Sequence, residues 1–338
     1  LTFVKSPKYG EKLKSNQVDW LGIFLLMAFI GSLQYVLEHG QQDDWFNNKT
    51  IIILSTITVF GLVLFIWREL TYKRPVVNLG VLKDGNLRIG TVMCFILGFG
   101  LYGSTLIIPI YTQTILGWTA TDAGLLLIPG SITTAFMMPI VGKLLQRGVP
   151  QSYMVGLGFL IFFFFTYMMH NNMTPSTGVE HLYWGLILRG IGLGLLFVPI
   201  TTLSLSTLKG KDIGEGAAFT GMMRQLGGSF GIATITTFIT RFNQEHRVNL
   251  VSHLDTTRLE VQQRVLTLQK GFMSKGFTAN ESLNKAYQVI DYSVMKQSAV
   301  LSYMDIFLYL GIMFLCCIPI IFLIKKGKNT INPADAMH

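Results

Sequence analysis

Apolar residues in this chain come in blocks of about twenty, and that length constrains the fold more than any other feature. A helix needs roughly 20 mostly apolar residues to cross the hydrocarbon of a bilayer. Such stretches occur near 20–38, 51–67, 89–115, 121–142, 152–169, 182–208, 214–240 and 303–324. Barrel strands would be about ten residues long with strict alternation, and the run Ile161-Phe162-Phe163-Phe164-Phe165 does not alternate. The expected fold class is therefore an all-α polytopic membrane protein with eight spans. The third, sixth and seventh blocks exceed the minimum, so they tilt or extend beyond the hydrocarbon. Only 13% of the 338 residues are charged, about half the share of a soluble domain.

The net charge of +9 would suggest nucleic acid in a soluble protein. Here the basic residues sit between apolar blocks, where Lys and Arg set membrane orientation. With residues 1–18 taken as cytoplasmic, the inner segments hold sixteen Lys and Arg, among them Lys5, Lys14, Arg68, Arg88, Lys143, Lys209 and Lys325. The short outer loops hold only Lys49. Both ends are expected in the cytoplasm, with no nucleic-acid partner. The divisions that follow are a cytoplasmic segment at 1–18, two helices within 19–68, a cytoplasmic loop at 69–88, a bundle over 89–324 and a tail at 325–338. The first residue is Leu1, and the first 18 are polar and basic rather than a signal peptide. We expect a chain that begins inside a larger protein.

One long outer loop, 241–298, has helical character. Thr257 and Glu260 have capping-box spacing, followed by Val261, Val265, Leu268 and Phe272. A second helix starts around Asn280 and Glu281, with Leu283, Ala286, Tyr287, Ile290 and Val294 on one face. This reads as an amphipathic hairpin outside the membrane, either a self-packed cap or a docking surface.

No enzyme constellation is present. The six histidines form no HExxH, and there is no GxSxG or Walker loop. No cofactor is expected, and any driving force would be an ion gradient. Cys94, Cys316 and Cys317 have no metal or disulfide spacing. Gly98-Phe99-Gly100-Leu101-Tyr102-Gly103 matches GxGxxG but lies inside a span. Small residues there let helices approach closely.

Charges within spans carry more information. Arg189 and Arg224 lie inside the sixth and seventh blocks. Placing Arg at the bilayer centre costs about 2.5–3.5 kcal/mol on insertion scales. Each side chain either bonds backbone carbonyls and locks helices together or lines a transport path. No Asp or Glu lies mid-span: Glu38, Asp122 and Asp305 are at outer span ends, and Asp19, Glu69 and Glu215 at inner ones. A proton-driven exporter needs a carboxylate that titrates within its cavity, so its principal proton carrier is expected outside these residues.

Several segments together resemble one family. They are Ser32-Leu33-Gln34-Tyr35-Val36-Leu37-Glu38-His39-Gly40 with Asp44-Trp45-Phe46, Gln113 with Gly117, Ala123-Gly124-Leu125 with Pro129-Gly130, Arg189-Gly190-Ile191-Gly192-Leu193-Gly194 with Pro199, and Arg224-Gln225-Leu226-Gly227-Gly228-Ser229-Phe230-Gly231. Gln297, Ala299 and Asp305-Ile306-Phe307 open the last span in the same manner. The pattern is similar to the EmrB/QacA-type drug:proton antiporters, the fourteen-span branch of the major facilitator superfamily. The resemblance implies two inserted helices followed by the C-terminal six-helix bundle, with the first bundle absent. Gly142-Lys143-Leu144-Leu145-Gln146-Arg147 looks like a degenerate cytoplasmic loop motif without its usual Asp. The implied function is multidrug efflux by proton antiport in a bacterial inner membrane. The implied partners are drug-like small molecules, protons, the lipid bilayer, a periplasmic adaptor and an outer-membrane channel. Cavity candidates are Tyr111, Gln113, Arg189 and Arg224, and coupling or gating candidates are Glu38, Asp122 and Asp305. Other cargo, such as a siderophore or lipid-like metabolite, stays open, as does a membrane scaffold or polytopic enzyme.

Overall fold

A computed structural model describes residues 19–72, 76–77, 79–255 and 257–323. The end segments 1–18 and 325–338, with their basic residues, lie outside the described residues, as do Lys73 and Arg74. Nine α-helices follow in order among the described residues. They are α1 (Trp20–His39), α2 (Lys49–Thr71), α3 (Gly85–Thr114), α4 (Ala120–Gln146), α5 (Gln151–Asn172), α6 (Val179–Leu205), α7 (Lys211–Ser252), α8 (Leu259–Met273) and α9 (Ala279–Cys317). A 3₁₀ segment, Ile318–Leu323, ends the last one.

Polar caps start these helices where the apolar pattern begins. Asp19 accepts the Gly22 N–H at the start of α1, Asp84 accepts the Leu87 N–H at α3, and Thr119 accepts the Asp122 N–H at α4. Each satisfies a backbone donor that the first helical turn leaves open. Asp19 also holds Arg68 at the far end of α2, at 3.1 Å. Burial by itself would raise the Asp19 carboxyl, but the Arg68 guanidinium and the Gly22 N–H outweigh it and hold it below the usual carboxylate range. A hydroxyl pair, Ser32 and Thr58 at 2.8 Å, joins α1 and α2 further along. These two helices form an antiparallel hairpin that meets the remaining bundle chiefly at α7.

Helix α3 is the axis of the bundle, touching α4, α6, α7 and α9. Helix α6 packs between α4 and α5. The core is aromatic: Phe162 stacks on Phe314 with ring centres 4.1 Å apart, and Phe165 meets Phe307 edge-on at 5.7 Å. In the Phe162–Phe165 run the helical period turns Phe162 and Phe165 inward and leaves Phe164 59% exposed. In lipid, helices associate by close packing rather than by the hydrophobic effect, and here glycine supplies it. A Cβ at Gly98 would collide with the Arg224 carbonyl oxygen, and one at Gly227 with the Phe95 carbonyl oxygen. The α3 and α7 backbones therefore touch directly, running parallel. Gly100 of the same GxGxxG accommodates the Phe314 ring, and Gly103 accommodates Ile235.

Seven helices of the described residues, α1–α6 and α9, are long and apolar enough to cross a membrane. Helix α7, which contains the expected 214–240 span, is not, because Arg224, Gln225, several glycines and threonines dilute its apolar content. It nevertheless packs against α1, α3, α6 and α9. The 241–298 segment is made of the end of α7, α8 and the start of α9. Helix α7 continues unbroken to Ser252, and α9 starts at Ala279 and runs to Cys317. Only α8 is a separate helix, laid against α9. The Thr257–Glu260 box does not form, because the Asp255 carboxylate takes the Thr257 N–H at 2.9 Å and α8 starts later. The capping box is Thr278 with Glu281, at the start of α9. Tyr287 is 47% exposed, whereas Ala286 and Val294 are buried.

The α3–α7 contact yields a stability test. Gly227→Val forces a side chain into the Phe95 carbonyl, and overpacking of this kind costs about 1–3 kcal/mol. The expected outcome is a several-fold fall in monodisperse protein after detergent extraction. Gly221→Ala, where a Cβ meets nothing within 4 Å, should leave the yield unchanged. Equal behaviour of the two variants in size-exclusion profiles would contradict the backbone contact.

Candidate functional site

The two arginines inside the bundle have opposite surroundings. Arg189 of α6 is 6% exposed. Its Nε donates to the Ser104 hydroxyl at 2.9 Å, and its Nη2 donates to the Leu101 carbonyl at 3.2 Å and to the Thr105 hydroxyl. Three acceptors on one face of α3 thus take a cation that would otherwise be stranded in an apolar medium. Ser104 and Thr105 in turn donate to carbonyls one turn back, those of Gly100 and Leu101. Beside Arg189 lies a cleft of about 240 Å³ whose lining includes Leu101, Thr105, Ser131 and Thr134.

Arg224 of α7 is half-buried, and among the described residues its guanidinium makes no hydrogen bond and no ion pair. Its ring partner is Phe197 of α6, with the guanidinium carbon 4.6 Å from the ring centre. A cation over an aromatic face gains about 0.5–2 kcal/mol, depending on desolvation. The hydrogen-bond donors of the planar fork stay open.

Glu38 belongs to the last turn of α1, as expected, but its side chain reaches α7. The Ser229 hydroxyl donates to its carboxylate at 3.2 Å. Ser229 is 1% exposed. Depth follows from register along α3. Arg224 lies beside Gly98, and Ser229 follows Gly227 and Gly228, which abut Phe95 and Tyr102. Arg189 bonds Leu101, Ser104 and Thr105. Arg224, Glu38 and Arg189 therefore share a band about 15 Å deep, at 1.5 Å per residue, centred on the middle of α3.

The remaining candidates lie elsewhere. Tyr111 is fully buried, its hydroxyl donating toward the Thr174 carbonyl at 2.6 Å and lying 2.9 Å from the Thr177 hydroxyl. Its ring packs edge-on against Tyr303 at 5.9 Å. A side chain with no exposed surface lines no cavity; Tyr111 anchors the α5–α6 connection to α3. Gln113 is exposed near the end of α3. Asp122 is exposed and closes the α4 cap, accepting from the Thr119 hydroxyl at 2.6 Å. Asp305 of α9 pairs with His246 of α7 at 2.7 Å. Three partners escaped the sequence reading: Phe197, Ser229 and His246. The polar Ser104-Thr105 pair in mid-span was the available signal for the Arg189 acceptors.

Comparison with known proteins agrees with this architecture. The Major Facilitator Superfamily model matches residues 14–232. The Fatty acid resistance protein FarB of Neisseria gonorrhoeae is 30% identical over 308 residues, covering 91% of this chain and 59% of that protein. The Multidrug export protein EmrB of Escherichia coli K12 is 29% identical over 245 residues, covering 72% and 48%. The Colistin resistance protein EmrB of Acinetobacter baumannii is 23% identical over 316 residues, covering 93% and 60%. The chain spans about half to three-fifths of the length of these relatives. It belongs to the Major Facilitator Superfamily.

Proposed function

We propose that this chain forms one wall of a multidrug exporter that works by proton antiport and alternating access. Relatives named for multidrug export, fatty acid resistance and colistin resistance support the reading. The observation that carries it is the contrast within one band of the bundle. Arg189 is bonded to α3, whereas Arg224, half-buried over Phe197, keeps its donors open. An arginine at this depth needs acceptors from protein, water or cargo, and Arg224 is the one positioned to meet a substrate. Substrate would bind near the midplane at the interface with a second bundle, as in related transporters. Gln113 lies on the same helix as the Arg189 acceptors and is assigned to the outer mouth of the path. Asp122 and the Asp305–His246 pair are assigned to gating at that end.

In this reading the protein resides in a bacterial inner membrane, with both chain ends in the cytoplasm and α8 in the periplasm. There α8 and the extended ends of α7 and α9 would meet a periplasmic adaptor that leads to an outer-membrane channel. A second cargo class, fatty-acid-like weak acids, is favoured by the open donors of Arg224, since a carboxylate suits the fork of an arginine.

Two measurements test this. In the full-length protein, Arg224→Ala should abolish drug resistance in cells while the protein still accumulates in the membrane, and Arg224→Lys should restore it only partly, because Lys lacks the planar fork. Arg189→Ala should instead reduce accumulation, because it leaves the α3 acceptors unpaired. Full resistance in Arg224→Ala, normalised to membrane protein, would remove Arg224 from the mechanism.

Orientation is tested separately. Single cysteines at Ser274, between α8 and α9, and at exposed Lys83, before α3, are placed in a background without native cysteines. An impermeant maleimide added to cells with a permeabilised outer membrane should label position 274 and spare position 83. The reverse pattern would invert the topology.

A further inference from the structure

The α1–α2 hairpin could be a passive insertion that merely lengthens the chain. Its contact with the bundle suggests otherwise. A hydroxyl inside a helix normally donates back to the carbonyl four residues earlier. Helix α7 follows that rule at Thr220 toward Gly216, Thr236 toward Ile232, Thr237 toward Ala233 and Thr240 toward Thr236. Ser229 departs from it. Its hydroxyl leaves the Gln225 carbonyl and donates to Glu38 of α1. This is the side-chain hydrogen bond that joins the hairpin to the bundle among the described residues. It falls in the band that holds Arg189 and Arg224, and Glu38 is the carboxylate found there.

We propose that Glu38 is a proton-binding carboxylate whose bond to Ser229 docks the α1–α2 hairpin onto α7. The bond is strongest when Glu38 is ionised, because a charged acceptor roughly doubles the strength of a hydrogen bond. On protonation the carboxylate takes one proton from water and becomes a carboxylic acid, and no bond between heavy atoms changes. The Ser229 hydroxyl is then free to turn back to the Gln225 carbonyl, and the hairpin loosens from α7. Charged and titratable neighbours are few. His39 adjoins Glu38 and stacks on Tyr35 with ring centres 4.5 Å apart. Asp43 and Asp44 lie in the turn, Lys49 starts α2, and Arg224 and Arg241 lie on α7. Among the described residues none of them forms an ion pair with Glu38. The partner that changes with its charge is therefore Ser229.

The role of this movement in transport rests on the exporter reading; the docking itself does not. The experiment therefore measures docking in the purified full-length protein. Spin labels are placed at exposed Phe46, in the hairpin turn, and at exposed Val248, near the end of α7, and distance distributions are recorded across pH. The wild-type protein should show two populations that exchange with a single pH midpoint. Glu38→Gln should hold the loosened distribution at every pH. Ser229→Ala removes the donor that docks the hairpin, so it too should hold the loosened distribution at every pH. Glu38→Asp should still titrate, which guards against a Gln variant that misfolds. Distributions independent of pH, or a Glu38→Gln protein that titrates like wild type, would overturn the proposal. Proton-driven dye efflux by the wild-type protein in vesicles is followed in parallel. Absence of efflux with intact pH-dependent docking would count against the exporter reading alone.

Discussion

A guanidinium buried among lipid-facing helices must find oxygen, and that requirement organises this bundle. Arg189 finds it on α3, at the Leu101 carbonyl and the Ser104 and Thr105 hydroxyls. The bonds fix the rotation of α3 relative to α6. The adjacent side of α3, with Phe95, Gly98, Phe99 and Tyr102, meets α7. The α3–α7 contact is then close enough for backbone to meet backbone. Arg224 is carried on that contact, its backbone carbonyl against Gly98.

Glycine rather than apolar bulk holds these helices together. Lipid tails are as apolar as leucine, so burial gives little drive, and close approach gives dispersion and specificity. The α4–α6 seam repeats the arrangement, with Gly130 and Gly190 meeting carbonyls across the interface. The Thr134 hydroxyl spans the same seam, donating to the Gly190 carbonyl at 3.2 Å. Prolines interrupt α3 at Pro109, α4 at Pro129 and Pro139, and α6 at Pro199. Such breaks are tolerated inside a bundle whose neighbours satisfy the freed groups.

Much of this was legible in the residue pattern, for physical reasons. Length and apolarity mark a span because the bilayer sets both, so α1 to α6 and α9 are visible in one dimension. Helix α7 was recognisable through its Arg224–Gly231 segment and fails a purely apolar criterion, because Arg224, Gln225 and its glycines and threonines dilute its apolar content. The caps at 257 and 278 could not be ranked from spacing: both have Thr with Glu three residues on, and the competing Asp255 decided the first. Tyr111 looked like a cavity residue because a tyrosine near a span end is ambiguous until its partners, Thr174 and Thr177, are brought in from the α5–α6 turn. The depth of Glu38 was hidden for a similar reason. Position within its own helix places it at an end, and only the register of α1 against α7 shows that it lies level with the middle of α3.

The central claim is that the two arginines differ in bonding, Arg189 held by three acceptors on α3 and Arg224 left with its donors open over Phe197. Cysteine accessibility measures this directly. In a full-length background without native cysteines, Arg224→Cys and Arg189→Cys are treated in membranes with a small water-soluble methanethiosulfonate. The account predicts that position 224 reacts and is protected by a transported drug, while position 189 stays unmodified until the protein is denatured. Rapid modification at 189, or none at 224, would contradict it.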